Sequence, residues 1–279
     1  MTYWTRPRRV AALGAAALLG LSAPASAGVG DLLVAPTRIV LDGRKGAEII
    51  LNNIGDEPAT YRVTVDFRRM NPAGSLSDVA APTAADQAAA DMIVYAPRRV
   101  TLAPREPQAI RIAARPPQGL PDGEYRVHML FRAIPPATPV AAAAASADGE
   151  AAKGLRFQLT PVYGVTIPVI VRLGNLQATA GIANVRLDQS ADRPAVALDL
   201  SRSGARSTFG EVRVLKAGAK DPIAVQKAVA VYTEIASRQV RVPIRADYKG
   251  ALSGPVTVQY LETFDDGAHV IAETTAVLR

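Results

Sequence analysis

Between Gly154 and Arg172 the chain reads GLRFQLTPVYGVTIPVIVR, and every second residue is apolar: Leu155, Phe157, Leu159, Pro161, Tyr163, Val165, Ile167, Val169 and Val171. Through the first half the intervening positions are mostly polar or small. A period of two marks a strand with one buried face. At about 3.3 Å per residue the stretch would run roughly 55 Å, whereas an ordinary strand has about 5–6 residues. One small sandwich cannot cover a stripe of that length, so part of it must face something else.

The remaining sequence is also patterned for strands. DLLVAPTRIVLDG leads to AEIILNNIGDEPATYRVTVDFRRM, which reads as two strands joined by a turn at Gly55–Pro58, with Tyr61, Val63, Val65 and Phe67 alternating. DGRKGAE at 42–48 reads as a hairpin turn. Residues 71–90, rich in Ala, Pro, Ser and Asp, read as a loop. Tyr125, Val127, Met129 and Phe131 form a further alternating strand, which puts His128 on the opposite, polar face and predicts a solvent-facing histidine. Residues 135–154 carry no large side chain beyond Val140, cannot bury enough apolar surface to offset their ordering entropy, and are expected to form a mobile loop. After Arg172, seven short segments separated by turn signals predict a second β-sandwich; only AVQKAVAVYTEIAS leaves helix and strand both open.

The N-terminus speaks to compartment. Arg6, Arg8 and Arg9 precede the apolar run Val10–Leu21, and Ala25-Ser26-Ala27 supplies an A-x-A pattern, so a secretory signal peptide cleaved after Ala27 is expected. Removing its three arginines leaves 29 basic against 25 acidic residues, a mild charge scattered along the chain, which gives no reason to expect a nucleic-acid partner. No later segment reaches about 18 uninterrupted apolar residues, so no membrane insertion is expected.

Several chemistries lack their residues. There is no cysteine, and the two histidines, His128 and His269, are far apart in sequence, so neither thiol catalysis nor a histidine-rich metal site is expected. G-x-S-x-G and the phosphate-cradling glycine motifs are absent. Asp265 and Asp266 are adjacent, point to opposite faces if in a strand, and read as a turn before Gly267. Nothing in the pattern favours an enzyme, a cofactor, a metal or a nucleotide.

In order and spacing, APTRIVLDG…AEIILNN, VTLAPREPQAIRIAAR, LPDGEYRVHMLFRAIPP and VTIPVIVR resemble the periplasmic pilus chaperones of chaperone–usher pathways. The resemblance covers roughly residues 30–172 well and the rest more weakly, mainly through LDLSRSGARSTFGEVRVL. It implies an all-β chain of two immunoglobulin-like β-sandwich domains set at an angle: a signal peptide at 1–27, a first domain at 28–172 with a donor strand at 154–172, and a second domain at 173–279. It also implies that Leu155, Phe157, Leu159 and Tyr163 are donated to the open core of a pilin-like subunit, while the second half of the stripe packs at home. Pro161 has no N–H, fits only where the ladder is open or outward-facing, and would divide the donated segment from the fixed one.

The resemblance further implies that an arginine of the first strand and a lysine late in the donor strand hold the subunit's terminal carboxylate. The arginine falls on Arg38. The lysine has no match: its position falls near Pro168, and no lysine lies between 154 and 215. Arg172 is the other candidate anchor, although bridging the two domains suits it better, with Asp265 or Asp266 as a weak partner. The function implied is periplasmic delivery of pilin-like subunits to an outer-membrane usher, without a cofactor. A secreted immunoglobulin-like adhesion or ligand-binding module is the alternative, and self-association of the free form stays open.

Overall fold

The computed structural model describes residues 31–135, 162–264 and 267–279. The expected signal peptide, nearly all of the expected loop at 135–154, Leu155, Phe157, Leu159 and Pro161, and the pair Asp265–Asp266 lie outside the described residues.

Strands whose side chains alternate between water and an apolar partner must stack in pairs of sheets, and the chain does this twice. The first sandwich uses β1 (Leu32–Ala35), β2 (Ile39–Leu41), β3 (Ala47–Asn53), β4 (Ala59–Asp66), β7 (Ile93–Ala96), β8 (Arg99–Leu102), β9 (Pro107–Ala114), β10 (Gly123–Ile134) and β11 (Gly164–Leu173). These form a four-stranded sheet in the order β1-β3-β9-β7 facing a five-stranded sheet β2-β11-β10-β4-β8. The second uses β12 (Ala178–Asp188), β13 (Ala195–Gly204), β14 (Thr208–Leu215), β15 (Ala224–Val231), β16 (Ser237–Pro243), β17 (Gly254–Phe264) and β18 (Gly267–Leu278), ordered β12-β13-β16 against β15-β14-β17-β18. The architecture is all-β, two immunoglobulin-like sandwiches. The seven segments after Arg172 are seven strands, and the segment that read equally as helix or strand is β15.

Each sandwich has its own core. Ile49, Leu51, Tyr61, Ile110, Met129 and Phe131 fill the first. Val196, Leu198, Val212, Val214, Val242, Val258 and Tyr260 fill the second. Burying each of these side chains stabilises the fold by about 1.5–3 kcal/mol.

Three expectations fail, the first of them between β4 and β7. Residues 71–90 are not a loop throughout: with Arg68–Met70 (β5), Leu76–Asp78 (β6) makes a small hairpin, and Ala84–Asp91 (α1) is helical. The Thr83 hydroxyl accepts from the Asp86 N–H while the Asp86 carboxylate accepts from the Thr83 N–H, a reciprocal cap that starts an alanine-rich helix. Asp86 also pairs with Arg69, tying the helix to the hairpin. His128 does lie on the outward side of β10, but it is 1% exposed rather than solvent-facing. That side is covered: Arg68 and Arg69 of β5, Arg126 of its own strand and Glu234 of the second sandwich all act on its charge, and burial, then Arg126, lower its pKa to about 3. The turn at 42–48 is also not a hairpin, because β2 and β3 belong to opposite sheets; Asp42 Oδ1 accepts from the N–H groups of Arg44 (2.8 Å) and Lys45 (2.9 Å) and turns the chain across.

The hairpin also joins the sandwiches. Met70 and Ile170 of the first pack with Ala230 and Tyr232 of the second. The Met70 N–H donates to Glu234 Oε1 at 2.8 Å, and Gln239 N–H donates to the Pro72 carbonyl at 2.7 Å.

Candidate functional site

Strand β11 is the visible end of the long stripe. On one side it pairs with β10 along its whole length, from Gly164 opposite Arg132 to Leu173 opposite Gly123. The Ala133 N–H donates to the Tyr163 carbonyl at 2.9 Å, which carries the ladder one residue further back. On the other side only Val169–Val171 are paired, in parallel, with β2. Among the described residues, no strand pairs with the outer edge of Gly164–Pro168.

The cover over the side chains runs out along the same line. Ile167, Val169 and Val171 are buried in the first core, Val165 is half-buried against it, and Tyr163 is 48% exposed. The apolar alternation continues where the home core stops.

Arg38 stands at the end of this edge. The parallel register sets Ile39 opposite Val169, which puts Arg38 beside Pro168, the last unpaired residue. Its guanidinium carbon lies 4.5 Å from the ring centroid of Phe209, so the first sandwich's arginine stacks on the second sandwich's phenylalanine. Its Nε and Nη2 are buried and have no hydrogen-bond partner among the described residues. Burial, and after it the charge of Arg172, hold its pKa below the ordinary value. Arginine stays protonated throughout the accessible range, so the result is a desolvated cation with two donors unmet.

Arg172 sits close by and is already engaged. Its Nε donates to Glu124 Oε2 at 2.9 Å, and its Nη2 donates to the Ser207 carbonyl at 3.1 Å. The same Glu124 oxygen accepts from the Ser207 N–H at 3.0 Å and hydroxyl at 2.9 Å. Glu124, whose side chain is 1% exposed, therefore anchors a bridge between the sandwiches. Arg206 is likewise engaged, its Nη1 lying 2.9 Å from both oxygens of Glu262. Of these three arginines only Arg38 has no carboxylate partner among the described residues.

The structure thus brings Arg38 and Arg172 together and pairs Arg172 with Glu124; Asp265 and Asp266 lie outside the described residues. Tyr163 lies at the exposed end of the stripe. Phe209, Ser207 and Glu124 are additions that pattern reading does not single out: a phenylalanine at the start of β14, the serine just before it and a glutamate at the start of β10 carry no signal until two sandwiches converge.

No protein-family model matches the chain, and no curated protein matches it by sequence. Among solved structures, the E. coli chaperone DraB is similar at 16% identity, with 91% of this chain and 99% of that one covered and a TM-score of 0.44. The Pseudomonas aeruginosa CupB2 chaperone is similar at 12% identity, covering 88% and 100%, also with a TM-score of 0.44. The Salmonella enterica SafA pilin in complex with the SafB chaperone is similar at 15% identity, covering 89% and 96%, with a TM-score of 0.43.

Proposed function

We propose that this chain is a periplasmic assembly chaperone that holds pilin-like subunits by lending them the strand that begins before β11, and hands them to an outer-membrane usher. The observation that carries this reading is that, among the described residues, the edge of Gly164–Pro168 is unpaired and ends at Arg38, whose buried Nε and Nη2 have no hydrogen-bond partner.

The geometry supports the reading in two ways. An extended segment laid along a free edge gains main-chain hydrogen bonds, and alternate side chains on the lent strand fill its pockets. A segment running parallel to β11, as β2 already does, would end beside Pro168. Its terminal carboxylate would then meet Arg38, whose planar fork grips a carboxylate bidentately. Arg172, held by Glu124, adds positive field without leaving its structural post. Leu155, Phe157 and Leu159 continue the stripe beyond Tyr163 in sequence and would supply the lent side chains, each contributing about 1.5–3 kcal/mol when fully buried.

The test is a pair of synthetic strands of alternating apolar residues, identical except that one ends in a free carboxylate and the other in an amide. The carboxylate form is expected to bind about 10–100-fold more tightly, the value of one charge-assisted contact, and Arg38→Ala is expected to erase that difference. Equal affinities of the two forms for the native chain would refute the anchor. Copurification of co-expressed pilin-like subunits with the native chain, lost in Arg38→Ala at unchanged melting temperature, tests the same role on whole proteins.

A further inference from the structure

We propose that the second sandwich carries a phosphate-binding pocket, independent of the function assigned to the β11 edge. The pocket has a volume of about 350 Å³ and is lined by Arg186, Lys227, Arg238 and Arg241, with Asp188 its one carboxylate.

The sheet register builds its floor. Arg186 on β12 stands opposite Ala197 on β13, and Ala197 stands opposite Arg241 on β16. Three aligned residues on neighbouring strands share a face, so two arginines flank one small alanine, with their backbones two strand spacings, about 10 Å, apart. A tetrahedral oxyanion over such a gap would be met by Arg186 Nε and Nη2 and by Arg241 Nη1, the nitrogens that the contacts with Asn184, Asp188 and Arg193 leave over.

The charges are not balanced within the pocket. Asp188 is committed: Oδ2 accepts from Arg241 Nε at 2.7 Å, and Oδ1 accepts from the Ser190 N–H and hydroxyl. Those contacts hold its carboxyl far below the usual carboxylate range. Arg241 is fixed further by donating to the Arg193 carbonyl at 2.6 Å. Arg186 donates only to the Asn184 carbonyl, and Lys227 has no ion-pair partner among the described residues. Arg238 donates through Nη1 to the Ala230 carbonyl, while its Nε is buried without a partner among the described residues. Three cations thus line one small concavity with no counter-ion of their own among the described residues.

The backbone is also irregular beside the pocket. In the pairing of β14 with β15 the register slips between Gly210 and Val212, so that Lys227 and Ala228 together oppose Glu211. This is a β-bulge, a device that re-aims a side chain. Ala228 takes a φ of 57°, a left-handed conformation that a non-glycine residue adopts at an energetic cost. The strain falls at the residue beside the pocket lysine.

The same chemistry serves a soluble phosphate compound or the headgroup of an anionic lipid, and two probes separate them. Pyrophosphate is titrated into the full chain at low ionic strength by calorimetry, and the chain is sedimented with vesicles of phosphatidylglycerol or of phosphatidylcholine. The native chain is expected to bind pyrophosphate, phosphatidylglycerol vesicles or both, and Arg186→Ala with Lys227→Ala is expected to weaken that binding tenfold or more. Both side chains are exposed, so the double variant is expected to keep the native melting temperature. Lys45→Ala with Lys249→Ala removes the same charge elsewhere and is expected to leave binding unchanged. Pyrophosphate binding identifies a soluble ligand; vesicle binding alone identifies a lipid headgroup. No binding to either probe, binding untouched by the pocket variant, or an equal loss in both double variants overturns the site.

Discussion

The guanidinium carbon of Arg126 lies 3.6 Å from the ring centroid of Tyr232, an arginine of the first sandwich stacked on a tyrosine of the second. Arg126 also pairs with Glu234, and its Nη2 donates to the Arg68 carbonyl at 3.1 Å. Burial alone would raise the Glu234 pKa, but the hydrogen bond and charge of Arg126 together with the Met70 N–H bring it below the ordinary value. One side chain therefore joins three segments that meet only in the fold. Arg126→Ala leaves Glu234 partly buried without its cation and is expected to destabilise the protein by about 3 kcal/mol. Arg126→Lys keeps the charge, loses the fork and the stacking, and is expected to fall between the two. Denaturant unfolding measures both, and small-angle scattering reports whether the sandwiches separate.

The end of the home core is testable residue by residue. Ile167→Ser and Val169→Ser each put a hydroxyl and a cavity into the first core and are expected to cost about 2–4 kcal/mol. Tyr163→Ser, on the same side of the same strand, is expected to shift stability by less than about 0.5 kcal/mol. Comparable losses at Tyr163 and Ile167 in thermal melts would mean that the core extends beneath Tyr163.

His128 makes stability depend on pH in a defined window. Its pKa is lowered from 6.5 to about 3 in the folded chain, by burial first and by Arg126 second. Below pH 6.5 the unfolded chain takes up a proton that the folded chain refuses. The contribution of the neutral form is therefore complete above that pH and is lost as pH falls toward about 3. The slope is at most about 1.4 kcal/mol per pH unit, and the full loss is on the order of 5 kcal/mol. His128→Phe removes the titration and two buried ring nitrogens that have no partner among the described residues, so it is expected to flatten this part of the curve and to be no less stable at neutral pH. An unchanged pH profile in the variant would assign the acid sensitivity to other groups.

Gly210 has no room for a methyl group. A Cβ there would stand 1.7 Å from the Leu261 carbonyl oxygen, which is backbone and cannot swing aside. Gly210→Ala is expected to destabilise the second sandwich by several kcal/mol or to prevent its folding. At Gly123 the added methyl would meet only Tyr125 Cε2, at 3.7 Å, an ordinary contact. Gly123→Ala is expected to stay within about 1 kcal/mol of the native chain, and paired denaturation curves decide the contrast.

Alternation makes one half of this structure readable and hides the other. It reveals which side chains of a strand share a face, as in Tyr125, Val127, Met129 and Phe131, but not what covers the opposite face. His128 therefore reads as exposed, because its cover comes from a hairpin tens of residues away and from a second sandwich. The hairpin and helix at 68–91 are hidden for another reason: their alanines and aspartates have the composition of a loop, and only the reciprocal Thr83–Asp86 cap signals a helix start. Arg38 and Arg172 are visible through resemblance, whereas the Phe209 ring beneath Arg38 and the Glu124–Ser207 bridge behind Arg172 arise from docking two sandwiches. The basic pocket is hidden by its sequence spacing, since Arg186, Lys227 and Arg241 sit on three strands and are scattered in the chain.

The three-residue parallel pairing of β2 with Val169–Val171 has a consequence for anything that extends the sheet. It is a fixed stop: the chain's own strand occupies the edge from Val169 onward, so a guest segment can advance only as far as Pro168. Because a strand displaced by one residue turns every side chain to the opposite face, such a stop acts as a gauge that admits one alignment out of many. The guest's last residue, not its sequence, would then set which of its side chains face inward, and guests of unrelated sequence would all be seated in the same phase.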